Sequence, residues 1–180
     1  MSTLYIFLEG PDDQRFFDKI LVPIVANFYD DVKTILYAKK KVAVTNKFIS
    51  SIVKNPQWAD LIYVTDLDNS PCFTSKKDKT IEKYEKLDRS LVYIVKSEIE
   101  SWYLSGTNDH FLKKYKIKTQ TKNIPANANK EFLSRMIKNR DRISFLADVL
   151  DNYSVQDAIA KNASFKYVYD HMTMGKLKKS

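Results

Sequence analysis

The sequence predicts an α/β protein: a parallel sheet of about four strands flanked by helices, followed by a helical C-terminal elaboration. Three observations lead there. Short β-branched and aromatic runs at residues 4–9, 32–38, 60–65 and 91–95 recur through the first hundred residues, and runs of that length ending in turn chemistry mark buried strands. The segments between them repeat their apolar residues at helical spacing, and strands alternating with helices build a parallel sheet through right-handed crossovers. Beyond residue 97 the strand pattern stops and helical periodicity alone remains.

Taken in order, the first strand feeds a helix that Asp12 or Asp13 can cap, with Phe16, Phe17, Ile20, Leu21 and Ile24 at helical intervals. Pro23 falls inside it and predicts a kink or break. Lys39-Lys40-Lys41 lies just past the second strand. A helix from Thr45 to about Lys54 presents Phe48, Ile49, Ile52 and Val53, and Asn55-Pro56 closes it. After the third strand, Asn69-Ser70-Pro71 is turn chemistry. Residues 76–87 are strongly charged, with Ile81, Tyr84 and Leu87 spaced for a largely exposed helix. Past the fourth strand, residues 98–104 read as helix and Gly106 stops it. Residues 113–129 form a polar stretch holding Pro125, a loop or lid. Residues 132–150 and 155–172 are then helical. The expected organisation is an α/β core over residues 1–105 and a helical elaboration over 106–180, packed on the core.

Composition narrows the chemistry. The 180 residues are 44% hydrophobic and contain no apolar run near the roughly 20 residues of a membrane span. Met1-Ser2-Thr3 leads straight into a strand, so a cytoplasmic protein with no membrane partner is expected. Cys72 is the lone cysteine, which excludes an internal disulfide and a four-ligand zinc ribbon, and only His110 and His171 could assist it. Any metal should therefore be oxygen-bound. The formal charge of +8 favours polyanionic partners, because each phosphate neutralised by Lys or Arg releases counterions. Solubility alone is the plainer account of the same charge.

Against that basic background, two acidic groups follow strands. The first strand runs into Glu9-Gly10-Pro11-Asp12-Asp13 and the third into Asp66-Leu67-Asp68. Open α/β sheets place ligands at the C-terminal edge of their strands, so both groups belong on one rim. Carboxylates crowded there repel one another unless a hard cation such as Mg2+ compensates. Asp66 and Asp68, one residue apart at a strand end, can reach a single ion. The plain reading is a turn with solvated acids.

Glu-Gly-x-x-Asp after one strand and Asp-x-Asp after a later one resembles the signature of the Toprim family, the catalytic domain of topoisomerases, bacterial primases, small ribonucleases and the overcoming-lysogenization-defect nucleases. The likeness covers about the first hundred residues. It implies a Rossmann-like core and a nuclease that hydrolyses phosphodiester bonds of DNA or RNA with one or two Mg2+ or Mn2+ ions. Glu9 would then be a metal ligand or a base acting through metal-bound water, with Asp66 and Asp68 as further ligands. Gly10, lacking a Cβ, lets the backbone turn and approach a phosphate. Asp13 matches the last position of the first motif and either supports a second ion or caps the helix. Glu98 and Glu100 follow the fourth strand. They point about 200° apart on a helix, and Glu100 is preferred as the third acidic contribution. Lys96 is placed to neutralise charge developing on phosphate, and Lys39, Lys40 and Lys41 to track a nucleic-acid backbone. Surface positions account for these lysines and glutamates as well.

A fainter likeness, in Glu98-Ile99-Glu100-Ser101-Trp102-Tyr103-Leu104 and Asn162-Ala163-Ser164-Phe165, is to small Toprim-like proteins of the DUF4276 group, often associated with phage defence and ATPase partners. Two other readings stand beside the nuclease. One is a non-catalytic nucleic-acid-binding or regulatory subunit of an ATPase complex. The other is a haloacid-dehalogenase-like phosphatase built on Asp66-Leu67-Asp68-Asn69-Ser70, a family that expects its loop after the first strand.

Overall fold

Strand β1 (Thr3–Leu8) has Leu4, Ile6, Phe7 and Leu8 fully buried, as a strand must be when it is covered on both faces. It pairs in parallel with β2 (Asp31–Leu36) on one side and β3 (Ala59–Asp66) on the other, and β3 pairs with β4 (Val92–Val95). The order β2-β1-β3-β4, all parallel, is the Rossmann-like α/β architecture expected from the sequence. The computed structural model describes residues 2–173. At the edge, β2 exposes Asp31 and Lys33, paired at 3.1 Å, and such charges discourage further strand addition.

Helix α1 (Pro11–Phe16) starts with Pro11 in its first turn, where the missing N–H costs nothing. It runs on through a π-helical stretch, Phe17–Leu21, into α2 (Val22–Val25). The break expected at Pro23 is thus a widening of the helix. The Val22 N–H reaches back to the Phe17 carbonyl, easing the clash between a proline ring and the preceding turn. On the other side of the sheet, α3 (Val42–Val53) and the segment around α4 (Phe73–Lys83) cover a cluster that includes Phe7, Tyr37, Ile49, Tyr63, Tyr84 and Ile94. The α4 helix begins at Phe73, earlier than expected, because Cys72 Sγ accepts the Ser75 N–H. Tyr84 and Leu87 lie beyond its end and are buried, contrary to the exposed helix anticipated for 76–87.

The helical part comprises α5 (Glu100–Ser105), α6 (Asp109–Lys114), α7 (Lys130–Ile137), α8 (Arg142–Asp151), α9 (Val155–Lys161) and α10 (Ala163–Thr173). Two long helices expected from periodicity are each broken. Residues 132–150 divide at Lys138, which has φ 55°, and Asp141 caps α8 by accepting the Ser144 N–H at 2.7 Å. Residues 155–172 divide at Asn162. Periodicity carries across both breaks because the apolar faces resume in phase, whereas Asp and Asn cap new helices through their side chains. Of the stretch 113–129 expected as a loop, Lys113 and Lys114 end α6, and residues 115–129 carry a single 3-10 turn, Thr121–Asn123. Gly106 ends α5 where any Cβ would lie 2.2 Å from the Tyr153 ring.

The chain divides into two compact units. Among the described residues, one comprises residues 2–95 with 170–173, and the other is Lys96–Tyr169. The boundary falls directly after β4, earlier than the position near residue 105 read from the sequence, because α5 already packs with α8 and α9. No helix among the described residues is long and apolar enough to cross a membrane.

Candidate functional site

In the α/β unit, the chain leaves β1 toward β2 on one side and reaches β3 on the other, so the strand order reverses between β1 and β3. Crevices at such points hold the ligands of open α/β sheets. Both acidic motifs arrive there. β1 and β3 pair with Phe7 beside Tyr63, and two residues further Glu9 is level with Thr65, just before Asp66. After β3 the Leu67 N–H donates to the Val95 carbonyl at 2.9 Å and the Ser70 N–H to Leu67 at 3.1 Å, forming a tight turn. Asp68 occupies the left-handed region at φ 47°, a conformation that Asp tolerates better than most residues.

This geometry opens a cleft of about 460 Å³ whose walls include Glu9, Lys40, Asp68, Lys76, Lys79 and Lys83. Tyr37, Tyr63 and Tyr84 form its inner lining. Tyr37 and Tyr63 stack with ring centroids 4.5 Å apart, and Tyr63 meets Tyr84 at 5.1 Å. The Tyr37 hydroxyl donates to the Val64 carbonyl at 3.1 Å. Burial, with the Glu9 and Asp13 carboxylates nearby, pushes that phenol well above the usual tyrosine range. Four ammonium groups and two carboxylates thus line a polar cleft together with stacked tyrosine rings. A negatively charged ligand is favoured there.

Of the predicted site residues, Glu9, Lys40 and Asp68 line this cleft. Asp66 is 9% exposed and, by the alternation of a strand, belongs to the face opposite Thr65. Asp13 is buried, and its Oδ2 accepts the Gly10 N–H at 3.1 Å, so it fixes the turn that carries Glu9. The capping role that the sequence left open for Asp13 is therefore realised. Asp12 pairs with Arg15 at 2.5 Å. Of the 39–41 lysines, Lys40 lines the cleft, while Lys39 and Lys41 are exposed.

Lys96, Glu98 and Glu100 belong to the helical unit. The Lys96 N–H donates to Ser164 Oγ at 3.3 Å, and Glu98 Oε2 accepts the Lys130 N–H at 2.7 Å. Glu100 is fully buried, with Oε1 accepting from Arg142 and Oε2 lacking a hydrogen-bond partner among the described residues. Burial holds its carboxyl above the ordinary glutamate range, against the pull of its own backbone amide, Lys130 and Arg142.

Lys76, Lys79 and Lys83 were not singled out from the sequence. Their i, i+3, i+7 spacing was visible, but a charged stripe ordinarily means a solvated face. What distinguishes Lys76 is tertiary: its Nζ lies 2.5 Å from Asp68 Oδ2, and its side chain is only 15% exposed. Among the described residues no three His, Cys, Asp or Glu side chains form a group that could hold a metal ion. The donor set in the cleft, Glu9 and Asp68, suits a cation that takes one or two carboxylates and completes its shell with water and substrate phosphate, as Mg2+ does. It does not suit a cation caged by protein alone.

Fold and cleft together define the class, an α/β protein with a Rossmann-like parallel sheet and a polar cleft at its topological switch point. Comparison with family models, curated proteins and solved structures finds no match.

Proposed function

We propose that this chain is a metal-dependent phosphodiesterase acting on nucleic acid, with a Toprim-like site around Glu9 and Asp68. One observation carries the reading: two carboxylates delivered by different strands line a single lysine-rich cleft at the switch point of the sheet. Acids in a basic cleft serve little purpose for binding phosphate alone, since they repel it. They serve hydrolysis if they hold a hard cation against the substrate. Mg2+ or Mn2+ bound by Glu9 and Asp68 would neutralise phosphate charge and lower the pKa of a bound water. The chain's own contribution is positional. Asp13 fixes the Gly10 turn behind Glu9, the left-handed turn presents Asp68, and the lysines draw the phosphate in.

Cleavage of plasmid, linear and single-stranded DNA and of total RNA, each with Mg2+, Mn2+ or EDTA, tests this. EDTA should abolish cleavage, and Glu9→Gln and Asp68→Asn should each lower it by about two orders of magnitude or more, the scale of a lost metal contact. Cleavage that survives both substitutions would sink the site. The Asp68–Lys76 ion pair favours a second reading, a nucleic-acid-binding subunit that does not hydrolyse, because it satisfies Asp68 without a cation. Metal-independent binding with no cleavage of any substrate would select it.

A further inference from the structure

The α4 helix carries a lysine comb whose ligand a general attraction for phosphate does not define. At 3.6 residues per turn, Lys76, Lys79 and Lys83 fall within about 60° of one another, on one stripe, and that stripe is the face that lines the cleft. The comb is about 10 Å long at 1.5 Å per residue, enough for two to three consecutive phosphates. It is also held in place. Lys76 is anchored on Asp68 at one end, and Lys83 Nζ sits 5.3 Å from the centre of the Tyr84 ring at the other, a cation–π contact that orients the ammonium. Asn46 Nδ2 donates to the Lys83 carbonyl at 3.4 Å, tying the end of α4 to α3. Lys40 lines the same cleft from the turn after β2. A cleft of about 460 Å³ has the volume of a small-ligand pocket and admits one backbone, whereas a duplex, whose major groove alone accommodates an α-helix, stays outside it.

We infer that Lys76, Lys79 and Lys83, with Lys40, bind the sugar-phosphate backbone of a single nucleic-acid strand, which runs along α4 and crosses the cleft at Asp68 and Glu9. This deepens, and rests on, the reading of the cleft as a nucleic-acid site. When a strand enters, its phosphate takes Lys76 and releases Asp68.

Fluorescence anisotropy of a labelled oligothymidylate of about 20 nucleotides and of a duplex of equal length, in EDTA over a series of salt concentrations, tests it. The single strand should bind more tightly than the duplex. Lys79→Gln/Lys83→Gln should weaken single-strand binding at least about tenfold and flatten the dependence of log affinity on log salt by about 1.4, two single-strand phosphate contacts at roughly 0.7 each. Lys79→Arg/Lys83→Arg should restore both. Lys54→Gln/Lys86→Gln, placed near the opposite end of β3, should change neither. All four lysines substituted are exposed, and matched thermal unfolding confirms that each variant is folded. Equal affinity for duplex, an unchanged salt slope in Lys79→Gln/Lys83→Gln, or displacement of the oligonucleotide by polyglutamate at equal charge would overturn the inference, the last by assigning the comb to an acidic protein partner. Because binding is read without metal, failed cleavage would overturn the nuclease reading alone. Intact cleavage with an unchanged salt slope would overturn this one alone.

Discussion

At the scale of single residues, two buried acids, Asp13 and Glu100, have different roles because their neighbours differ. Asp13 accepts the Gly10 N–H and shapes the turn that presents Glu9. Glu100 is sealed in the helical unit with Arg142 as its ion-pair partner. An acid whose pKa is raised in the fold holds its proton more readily there than in the unfolded chain. Its contribution to stability is full below the ordinary glutamate value and fades as pH rises through the folded one. Removing Arg142 should sharpen this dependence, because the carboxylate left behind loses its ion-pair partner and keeps the attraction of Lys130. Arg142→Ala should cost about 3 to 5 kcal/mol near pH 7.5, as breaking a buried pair does, and distinctly less near pH 4, where the carboxyl takes up a proton. Urea unfolding at the two pH values checks this. An equal loss at both would mean that Arg142 stabilises through packing alone. The sequence showed both acids plainly, and Gly10 lies only three residues from Asp13, but the partner of Glu100 lies 42 residues along the chain and carries no spacing signal.

At the scale of elements, Asn162-Ala163-Ser164-Phe165 proves to be a junction. Asn162 Oδ1 accepts from the N–H groups of Ser164 and Phe165, both at 3.1 Å, and from Ser164 Oγ at 2.8 Å. Ser164 Oγ in turn accepts from Trp102 Nε1 at 2.9 Å. The Asn162 amide donates to the Ala126 carbonyl at 3.3 Å, holding the loop before α7. Both ends of this side chain are therefore engaged. Asn162→Ala should destabilise by about 2 kcal/mol, a lost helix cap together with a carbonyl left short of a donor. Asn162→Asp, which keeps the capping oxygen and loses the amide, should fall between. Chemical denaturation of the three proteins gives the order, and equal stability of Asn162→Asp and Asn162→Ala would deny the cap its role. The residues of the motif were legible in the sequence. Their effect, breaking one predicted helix into α9 and α10, was not, because a cap is recognised by the groups it receives.

At the scale of the whole molecule, part of the formal charge of +8 falls in a cleft lined by four lysines and two acids. Mg2+ alone has to displace Lys76 from Asp68, so it should shift thermal unfolding little. Oligonucleotide at 100 times its Kd adds about 2.7 kcal/mol to the folded state, several degrees in Tm for a chain of this size, and Mg2+ added with it should raise Tm further when Glu9→Gln is used to prevent turnover of the strand. Differential scanning fluorimetry with each ligand separately and together checks this. A Mg2+ shift without oligonucleotide as large as the oligonucleotide shift would reveal a preformed metal site. The sequence by itself determined the α/β class, the four parallel strands and the placing of Glu9 and Asp66-Leu67-Asp68 at strand ends, because apolar period and turn chemistry are local properties. Tertiary structure decided the rest. Strand order brought Glu9 and Asp68 to one cleft, the two-residue period of β3 turned Asp66 to the opposite face, and the packing of α4 made a stripe of lysines into a wall. Each of these depends on which surfaces meet, and that is set by the burial of the whole core.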